Sequence, residues 1–141
     1  MRTTDLLAKL FKTKNIKTFI KQHEKEMDQT SFCAYLDKIC KKKDMLPGHV
    51  IKRSGIERTY GHQIFNGRRR PSRDKVIQLA FGFQMKTDEA QELLKAAQKS
   101  LLYPKIRRDT VIIFALNRGF CVDDTQETLF ELSLPIIEKE E

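Results

Sequence analysis

Four polar side chains on one face of a predicted helix could recognise another molecule through hydrogen bonds. Apolar residues recur at helical spacing between Ser54 and Gly67 and would face the interior; they are Ile56, Tyr60, Ile64 and Phe65. The opposite face carries Arg58, Thr59, His62 and Gln63. Arginine can donate two hydrogen bonds to O6 and N7 of guanine, and glutamine can pair with adenine in a similar way. These four residues are therefore candidate readers of base edges, with Arg58 the best candidate for guanine and Gln63 for adenine.

Basic residues flank the same helix on both sides. They are Lys52, Arg53, Arg68, Arg69, Arg70 and Arg73. Cations in such positions can neutralise the phosphates of a nucleic-acid backbone and release its counterions. We therefore assign these six residues as candidate phosphate contacts.

Two short helices joined at Gly55 are predicted to hold this surface. Pro47 suits the first turn of the earlier helix, and Gly55 suits its end because glycine adopts a positive φ without strain. The later helix begins near Glu57 and ends at Gly67. Ser72 is predicted to cap the next helix, which would pack behind the polar face through Val76, Ile77, Ala80 and Phe83.

This pattern resembles the helix-turn-helix of lambda-repressor/Cro-type regulators. The matching residues are Gly55, Ile56, Ile64, Phe65, Asn66, Gly67, Arg68, Arg69, Pro71 and Ser72. The resemblance covers about residues 32–83, the normal length of such domains. It implies that the helix from Glu57 enters the major groove and that the following arginines contact the backbone. The run 60–74, with residues 102–105 and 108–116, also resembles a group of bacterial helix-turn-helix proteins, which supports the fold and does not indicate a role.

Four positions differ from the family pattern. Leu46 stands where Ser or Thr normally caps the first helix of the pair, and Pro47 stands where a DNA contact is common. Ile51 replaces a residue that is usually small, and Gly61 replaces a β-branched core residue. Glycine inside a helix costs roughly 0.5–1 kcal/mol. Either a neighbouring side chain packs against Gly61, or the helix is locally weak.

Composition and charge favour an intracellular helical protein. The chain has 141 residues, of which 40% are hydrophobic, which fits one compact domain or two small helical modules. Up to Arg73 there are 18 Lys and Arg against 7 Asp and Glu, a net +11; from Asp74 onward there are 9 against 12, a net −3. The basic excess lies with the candidate reading helix. No apolar run approaches the length of a membrane span and the first residues lack a secretory signal, so we expect a cytoplasmic protein with no membrane partner.

An all-α fold in three parts is predicted. Residues 1–29 form an N-terminal helical arm with a break near Lys14-Asn15, residues 30–85 form the helix-turn-helix domain, and residues 86–141 form a C-terminal helical hairpin. The arm is either an additional core helix, a dimer contact or a basic segment that reaches DNA.

An internal repeat links the last two parts. The pattern Asp-x-Val-Ile-x-x-Ala occurs at Asp74 and again at Asp109, and Asp-x-x-Gln-Glu-x-Leu occurs at Asp88 and again at Asp123, a displacement of about 35 residues. Each Asp-x-x-Gln is expected to form a capping box at the start of a helix. The apolar run 111–116 could form a strand, but its repeat partner is helical, and Gly119 supplies a helix stop.

Residues for catalysis or metal binding are not apparent in the sequence. The three histidines and three cysteines lack metal-ligand spacing, and no phosphate loop or nucleophile motif occurs. The cysteines are Cys33, Cys40 and Cys121. Because Cys33 and Cys40 stand seven residues apart on one helix face, we expect buried thiols in a reducing compartment rather than ligands or a disulfide. The sequence therefore predicts no enzyme, no catalytic residue, no metal and no cofactor.

Together these features predict a sequence-specific double-stranded DNA-binding protein, a transcriptional regulator of bacterial type. A single unit of this size buries little DNA surface, so we expect a homodimer assembled through the C-terminal helices. The alternative is a helical protein-interaction module, such as an antitoxin or adaptor, whose helix-turn-helix docks a protein partner. Pro47 and Gly61 are both unfavourable in a DNA reader and keep this alternative open.

Overall fold

The structure is a computed structural model that describes residues 2–23 and 31–137. Within these ranges all regular structure is helical, which confirms the all-α class. The described helices are α1 (Thr3–Lys12), α2 (Ile16–Gln22), α3 (Phe32–Lys43), α4 (Pro47–Ser54), α5 (Arg58–Phe65), α6 (Arg73–Gly82), α7 (Thr87–Ala96), α8 (Arg107–Asn117) and α9 (Val122–Glu131). The chain divides into two compact units, Met1–Ser31 and Phe32–Glu141. Among these helices, none is both long and apolar enough to cross a membrane.

The first unit contains α1 and α2, separated by a short break. Asn15 precedes α2, and its side chain accepts a hydrogen bond from the Thr18 amide at 3.2 Å, which caps the helix. The break predicted near Lys14-Asn15 is confirmed. No residue of α1 is buried. The predicted continuation of the arm over residues 24–27 lies outside the described residues.

In the second unit, α4 and α5 meet at a left-handed glycine. Pro47 occupies the first turn of α4, and the helix ends at Gly55 with φ 72°, a conformation that strains any residue with a Cβ. Leu46 precedes α4 and makes no side-chain capping bond. The turn from Gly55 to Glu57 therefore sets the angle between α4 and α5.

The centre of this unit is α6, whose residues from Lys75 to Gly82 are all buried. A Cβ placed on Gly82 would overlap the side chain of Ser54 and lie 2.5 Å from the carbonyl oxygen of Val50, so α4 and α6 are in very close contact. Polar groups in this interface are paired. Lys75 Nζ donates to Gln78 Oε1 at 3.3 Å, and Gln78 Nε2 donates to the Ser54 carbonyl at 3.1 Å.

The predicted 35-residue repeat is also a structural repeat. Arg73 Nη2 lies 2.9 Å from Asp109 Oδ2, and Arg108 Nη2 lies 2.9 Å from Asp74 Oδ2. Each arginine also donates to two carbonyl groups downstream: those of Ser100 and Leu101 for Arg73, and those of Pro135 and Ile136 for Arg108. Because each hairpin donates its arginine to the aspartate of the other, the contacts are reciprocal, as in a two-fold interface. The hairpins α6–α7 and α8–α9 therefore form an internal pseudo-symmetric pair. The predicted boundary between residues 85 and 86 falls inside the first of them, and the C-terminal hairpin is α8–α9.

The predicted capping boxes are wrong, because α7 and α9 each begin one residue before the aspartate. The N-cap of α7 is Lys86, which makes no side-chain capping bond. The N-cap of α9 is Cys121, whose Sγ accepts a hydrogen bond from the Asp124 amide at 3.4 Å. Asp88 and Asp123 lie in the first helical turn, where a negative charge is favoured by the helix dipole.

The glutamines of the repeat have a different role from the predicted one. The amide group of Gln91 bonds to both the N–H and the carbonyl of Leu102, each at 2.8 Å. Gln126 makes the same pair of bonds to Ile137, at 2.6 and 2.8 Å. Each glutamine therefore holds the extended segment that follows its own hairpin.

The apolar run 111–116 lies within α8, so the predicted helix is confirmed and the strand alternative is excluded. Gly119 follows with φ 72°. Ile112, Ala115 and Leu116 are buried in the core. Much of the apolar surface of the C-terminal hairpin is therefore covered within a single chain.

The repeat provides a matched pair of substitutions. Arg73→Ala should lower the free energy of unfolding by about 3–5 kcal/mol, because the Asp109 side chain is only 1% exposed and would lose its cation. Arg108→Ala should cost less, because the Asp74 side chain is 19% exposed and reaches water. Urea unfolding measures both. If the two variants lose the same free energy of unfolding, burial of the carboxylate does not determine the cost of removing its arginine.

Candidate nucleic-acid interface

The polar face of α5 lies on the protein surface. Arg58, Thr59 and His62 are exposed, and Gln63 is half-buried. On the opposite side Ile56 and Ile64 are buried, and Tyr60 and Phe65 are half-buried. This burial pattern agrees with the orientation predicted from the sequence.

The first turn of α5 is fixed by Glu57. Its carboxylate accepts hydrogen bonds from the Thr59 amide at 2.9 Å and from the Tyr60 amide at 2.8 Å. These two backbone bonds, in that order of importance, hold the pKa of Glu57 below its ordinary value. The side chain of Thr59 also bonds to Glu57. Thr59 therefore contributes to the cap, while Arg58 projects from a helix end whose position is fixed.

In the lambda-repressor/Cro-type pattern, the position of Ile51 carries a small residue and the position of Gly61 carries a β-branched one. In this chain the large residue is on α4 and the small residue is on α5. A Cβ on Gly61 would lie only 2.5 Å from Ile51 Cγ2 and 2.8 Å from Ile51 Cγ1. Both residues are buried. The larger side chain on α4 thus fills the space that a β-branched residue on α5 would occupy. Of the two alternatives left open by the sequence, the structure shows the first: a neighbouring side chain packs against Gly61.

Two of the six predicted phosphate contacts hold the fold together. Arg53 Nε donates to the carbonyl of Gly82 at 2.9 Å, and Arg53 Nη2 lies 3.5 Å from Met45 Sδ. Arg73 pairs with the buried carboxylate of Asp109. Arg73 takes a structural role in place of the predicted phosphate contact, because its Nε, Nη1 and Nη2 all donate to other residues of the protein. Arg53 is exposed, and its Nη1 makes no hydrogen bond to a described residue, so its phosphate contact stays a prediction.

Three other predicted contacts are available at the surface. Lys52, Arg68 and Arg70 are exposed, and their side chains make no hydrogen bond or ion pair to any described residue. Gly67, with φ 84°, turns the chain after α5, and Asn66 Oδ1 accepts a hydrogen bond from the Arg68 amide at 3.0 Å. This turn holds the arginine segment at the C-terminal end of α5.

The remaining basic residue, Arg69, is engaged with α5 itself. Its Nε donates to Gln63 Oε1 at 2.6 Å, and its guanidinium carbon lies 4.8 Å from the centre of the Tyr60 ring. The backbone amide of Arg69 also donates to the carbonyl of Gln63, at 3.1 Å. The sequence placed Arg69 with the phosphate contacts and Gln63 with the base readers, whereas the structure joins the two side chains.

A groove of about 970 Å³ borders the exposed face of α5. Its lining includes Arg58 and His62 from α5, together with Val122, Asp123 and Gln126 from α9. Sequence reasoning missed the part played by α9, since Asp123 was expected only to stabilise a helix end. The contact joins segments far apart in the sequence, and no local pattern signals it. It brings a negative charge close to the candidate base-reading residues.

Within residues 2–23 and 31–137, no group of three or more His, Cys, Asp or Glu side chains is arranged to bind a metal ion. Cys33 is half-buried, Cys40 is buried and Cys121 is exposed, and none of the three forms a disulfide. Burial, and then the nearby charge of Asp37, raises the pKa of the Cys40 thiol.

Comparison of the chain with models of known families, with characterised proteins and with solved structures found no match.

Substitutions that make residue 51 small and residue 61 large test whether the contact between these two residues positions α5. Ile51→Ala should lower the free energy of unfolding by about 2–5 kcal/mol through loss of buried side chain. Gly61→Val should cost about 1–3 kcal/mol through overlap with Ile51. The double variant should lose less free energy of unfolding than the two single variants lose together, because the valine fills the space that the alanine leaves. Urea unfolding of all four proteins gives the coupling; simple additivity would contradict this packing.

Proposed function

We propose that this chain is a sequence-specific double-stranded DNA-binding protein, a transcriptional regulator of bacterial type that acts in the cytoplasm. In this proposal α3 to α6 form a lambda-repressor-like unit, α4 and α5 are its helix-turn-helix, and α5 enters the major groove. The observation that carries the proposal is the surface of α5. Arg58 and His62 are exposed on a helix capped by Glu57, and the side chains of Arg68 and Arg70, just beyond its other end, make no hydrogen bond or ion pair to a described residue.

The positions of these side chains support separate roles. Recognition helices contact base edges mainly through their N-terminal residues, and Arg58 is the first residue of α5. We propose that Arg68 and Arg70, beyond the other end of the helix, contact the phosphate backbone, which fixes the register of a complex without reading its sequence. Lys52 on α4 extends the same basic surface. The net +11 up to Arg73 supports an anionic partner for this half of the chain.

A protein-interaction module is the second candidate function. It is favoured by the groove beside α5, which combines the apolar residues Ile51, Ile56 and Val122 with the carboxylate of Asp123. Ligand sites on proteins commonly combine apolar walls with a few polar groups, and a negative charge there opposes the approach of phosphates. An antitoxin or adaptor would bind a protein segment in this groove.

We further propose that the protein acts as a homodimer through its C-terminal helices. Related regulators bind two half-sites about one helical turn apart, because a single unit contacts too little DNA. Several large apolar side chains of the described C-terminal hairpin remain exposed: Phe114, Phe130, Leu132 and Ile136. They could form a contact between two copies even though the rest of the hairpin is packed internally.

Arg58 and Arg68 should respond differently to substitution. Arg58→Ala should weaken binding to a selected site by about 1–3 kcal/mol and relax the preference at one base pair. Arg68→Ala should weaken binding to all sequences by a similar factor and reduce the salt slope by about one unit. Fluorescence anisotropy with selected and random duplexes at several salt concentrations measures both. A protein partner would be indicated if neither duplex binds, and this result would contradict the proposed function.

The dimer surface can be tested through Phe130, which is 77% exposed. The wild-type chain should sediment as a dimer at micromolar concentration, and the double variant Phe130→Ser, Leu132→Ser should be a monomer with unchanged helical content. Leu46→Ser is the matched control, since it removes an exposed apolar side chain outside the C-terminal hairpin and should remain dimeric. A wild-type monomer, both free and bound to DNA, would rule out the proposed dimer.

A further inference from the structure

Arg69 is held against α5 by contacts that its two neighbours do not make. Its Nε donates to Gln63 Oε1 at 2.6 Å, and its guanidinium carbon lies 4.8 Å from the centre of the Tyr60 ring. The side chains of Arg68 and Arg70 have no such partner among the described residues. One arginine of the three is therefore oriented by the helix, while the other two can adapt to a phosphate backbone.

The orientation of Arg69 leaves a particular set of donors unused. The bond to Gln63 uses the Nε–H, and the contact with Tyr60 restricts the position of the guanidinium group. The two terminal nitrogens, Nη1 and Nη2, make no hydrogen bond to a described residue. Together they form the pair of parallel donors that matches O6 and N7 of guanine. Fixing the side chain before binding also reduces the conformational entropy that would be lost in a complex.

The same contact changes the expected role of Gln63. Pairing with adenine requires the glutamine oxygen to accept a hydrogen bond from N6 while the nitrogen donates to N7. In the structure that oxygen already accepts a hydrogen bond from Arg69. Gln63 is therefore better suited to orient Arg69 than to read adenine.

We propose that Arg69 is a specificity-determining residue that reads a guanine in the major groove, with Gln63 and Tyr60 as its positioning residues. This inference rests on the proposed function, since it assigns a base contact within the proposed DNA interface. It moves Arg69 from the backbone contacts to the base-reading contacts. It also gives the protein a second guanine reader, beyond the C-terminal end of α5, in addition to Arg58 at the N-terminal end.

Selection from a randomised duplex library with the full-length protein tests the proposal. Arg69→Ala should lose the preference for guanine at one base pair, and its affinity for the wild-type selected site should fall about 5- to 150-fold. Arg70→Ala is the matched control. It should keep every base preference and lose affinity for selected and random duplexes by the same factor. Arg69→Lys should not restore the guanine preference, because lysine lacks the planar fork and cannot reproduce the bond from Nε to Gln63.

The positioning role requires a separate readout. Tyr60→Phe should keep the guanine preference, since phenylalanine presents the same ring face to the guanidinium group. Tyr60→Leu should weaken that preference at the base pair affected by Arg69→Ala and leave the salt slope unchanged. Thermal unfolding of both variants identifies any general loss of folding, and competition at a temperature where both are folded compares their specificity.

Three results would overturn the proposal. A uniform loss of affinity in Arg69→Ala, equal to that of Arg70→Ala, would make Arg69 a phosphate contact. Full recovery of the guanine preference by Arg69→Lys would show that charge alone is sufficient. If the wild-type protein enriches no sequence and binds no duplex in a salt-dependent way, the proposed function fails and this inference fails with it. The first two results leave the proposed function intact, so the two failures are distinguishable.

Discussion

The close approach of α4 to α6 at Gly82 is the constraint on which the other packing in the second unit depends. There is no room for a Cβ at this position, and Ser54 lies directly against the α6 backbone. The approach brings the Ser54 carbonyl within hydrogen-bond distance of Gln78, which in turn accepts from Lys75. Since α4 carries the turn at Gly55, its distance from α6 also sets where α5 begins.

The helix α6 packs against α7 within its own hairpin and also connects α4 to α8. One side packs against α4, and its N-terminal end is joined to α8 through the reciprocal pairs of Arg73 with Asp109 and Arg108 with Asp74. The C-terminal hairpin therefore supports the candidate interface from behind through α6, and α9 reaches the groove beside α5. Because α9 reaches this groove, the charge of Asp123 can affect the electrostatic potential at the exposed face of α5, although Asp123 is remote from α5 in the sequence.

Features with a local cause could be predicted from the sequence. The left-handed turn at Gly55, the cap at Ser72 and the break near Asn15 follow from the backbone preferences of single residues. The helix over 111–116 followed from its repeat partner. The predicted outward face of α5 also agrees with the structure, because it follows from the spacing of apolar residues.

Features that depend on distant partners could not be predicted in the same way. The spacing of Asp88 and Gln91 fits a capping box, but Gln91 bonds to the backbone of Leu102. Arg73 and Arg69 stand in one basic run, yet the first pairs with Asp109 and the second with Gln63. The repeat did hold one unused signal. Arg73-Asp74 and Arg108-Asp109 are equivalent dipeptides, and two such units in contact can exchange ion pairs.

The compensation between Ile51 and Gly61 shows the same limit. Each residue alone departs from the lambda-repressor/Cro-type pattern that the sequence resembles, and Gly61 alone leaves open a locally weak helix. Their combined effect is apparent only when α4 and α5 are packed together, because the isoleucine occupies the space beside the glycine. Two departures that are separate in the sequence are a single exchange of side-chain volume in the structure.

The most direct test of the central claim, that the basic face of α5 binds duplex DNA, is the affinity of the full-length protein for random duplex DNA at increasing salt concentration. If Lys52, Arg68 and Arg70 each neutralise one phosphate, the logarithm of the binding constant should fall against the logarithm of salt with a slope of about −2.7 per chain. A dimer bound through both units should give about twice that slope. Binding that is absent at low salt, or that does not change with salt, would contradict the claim.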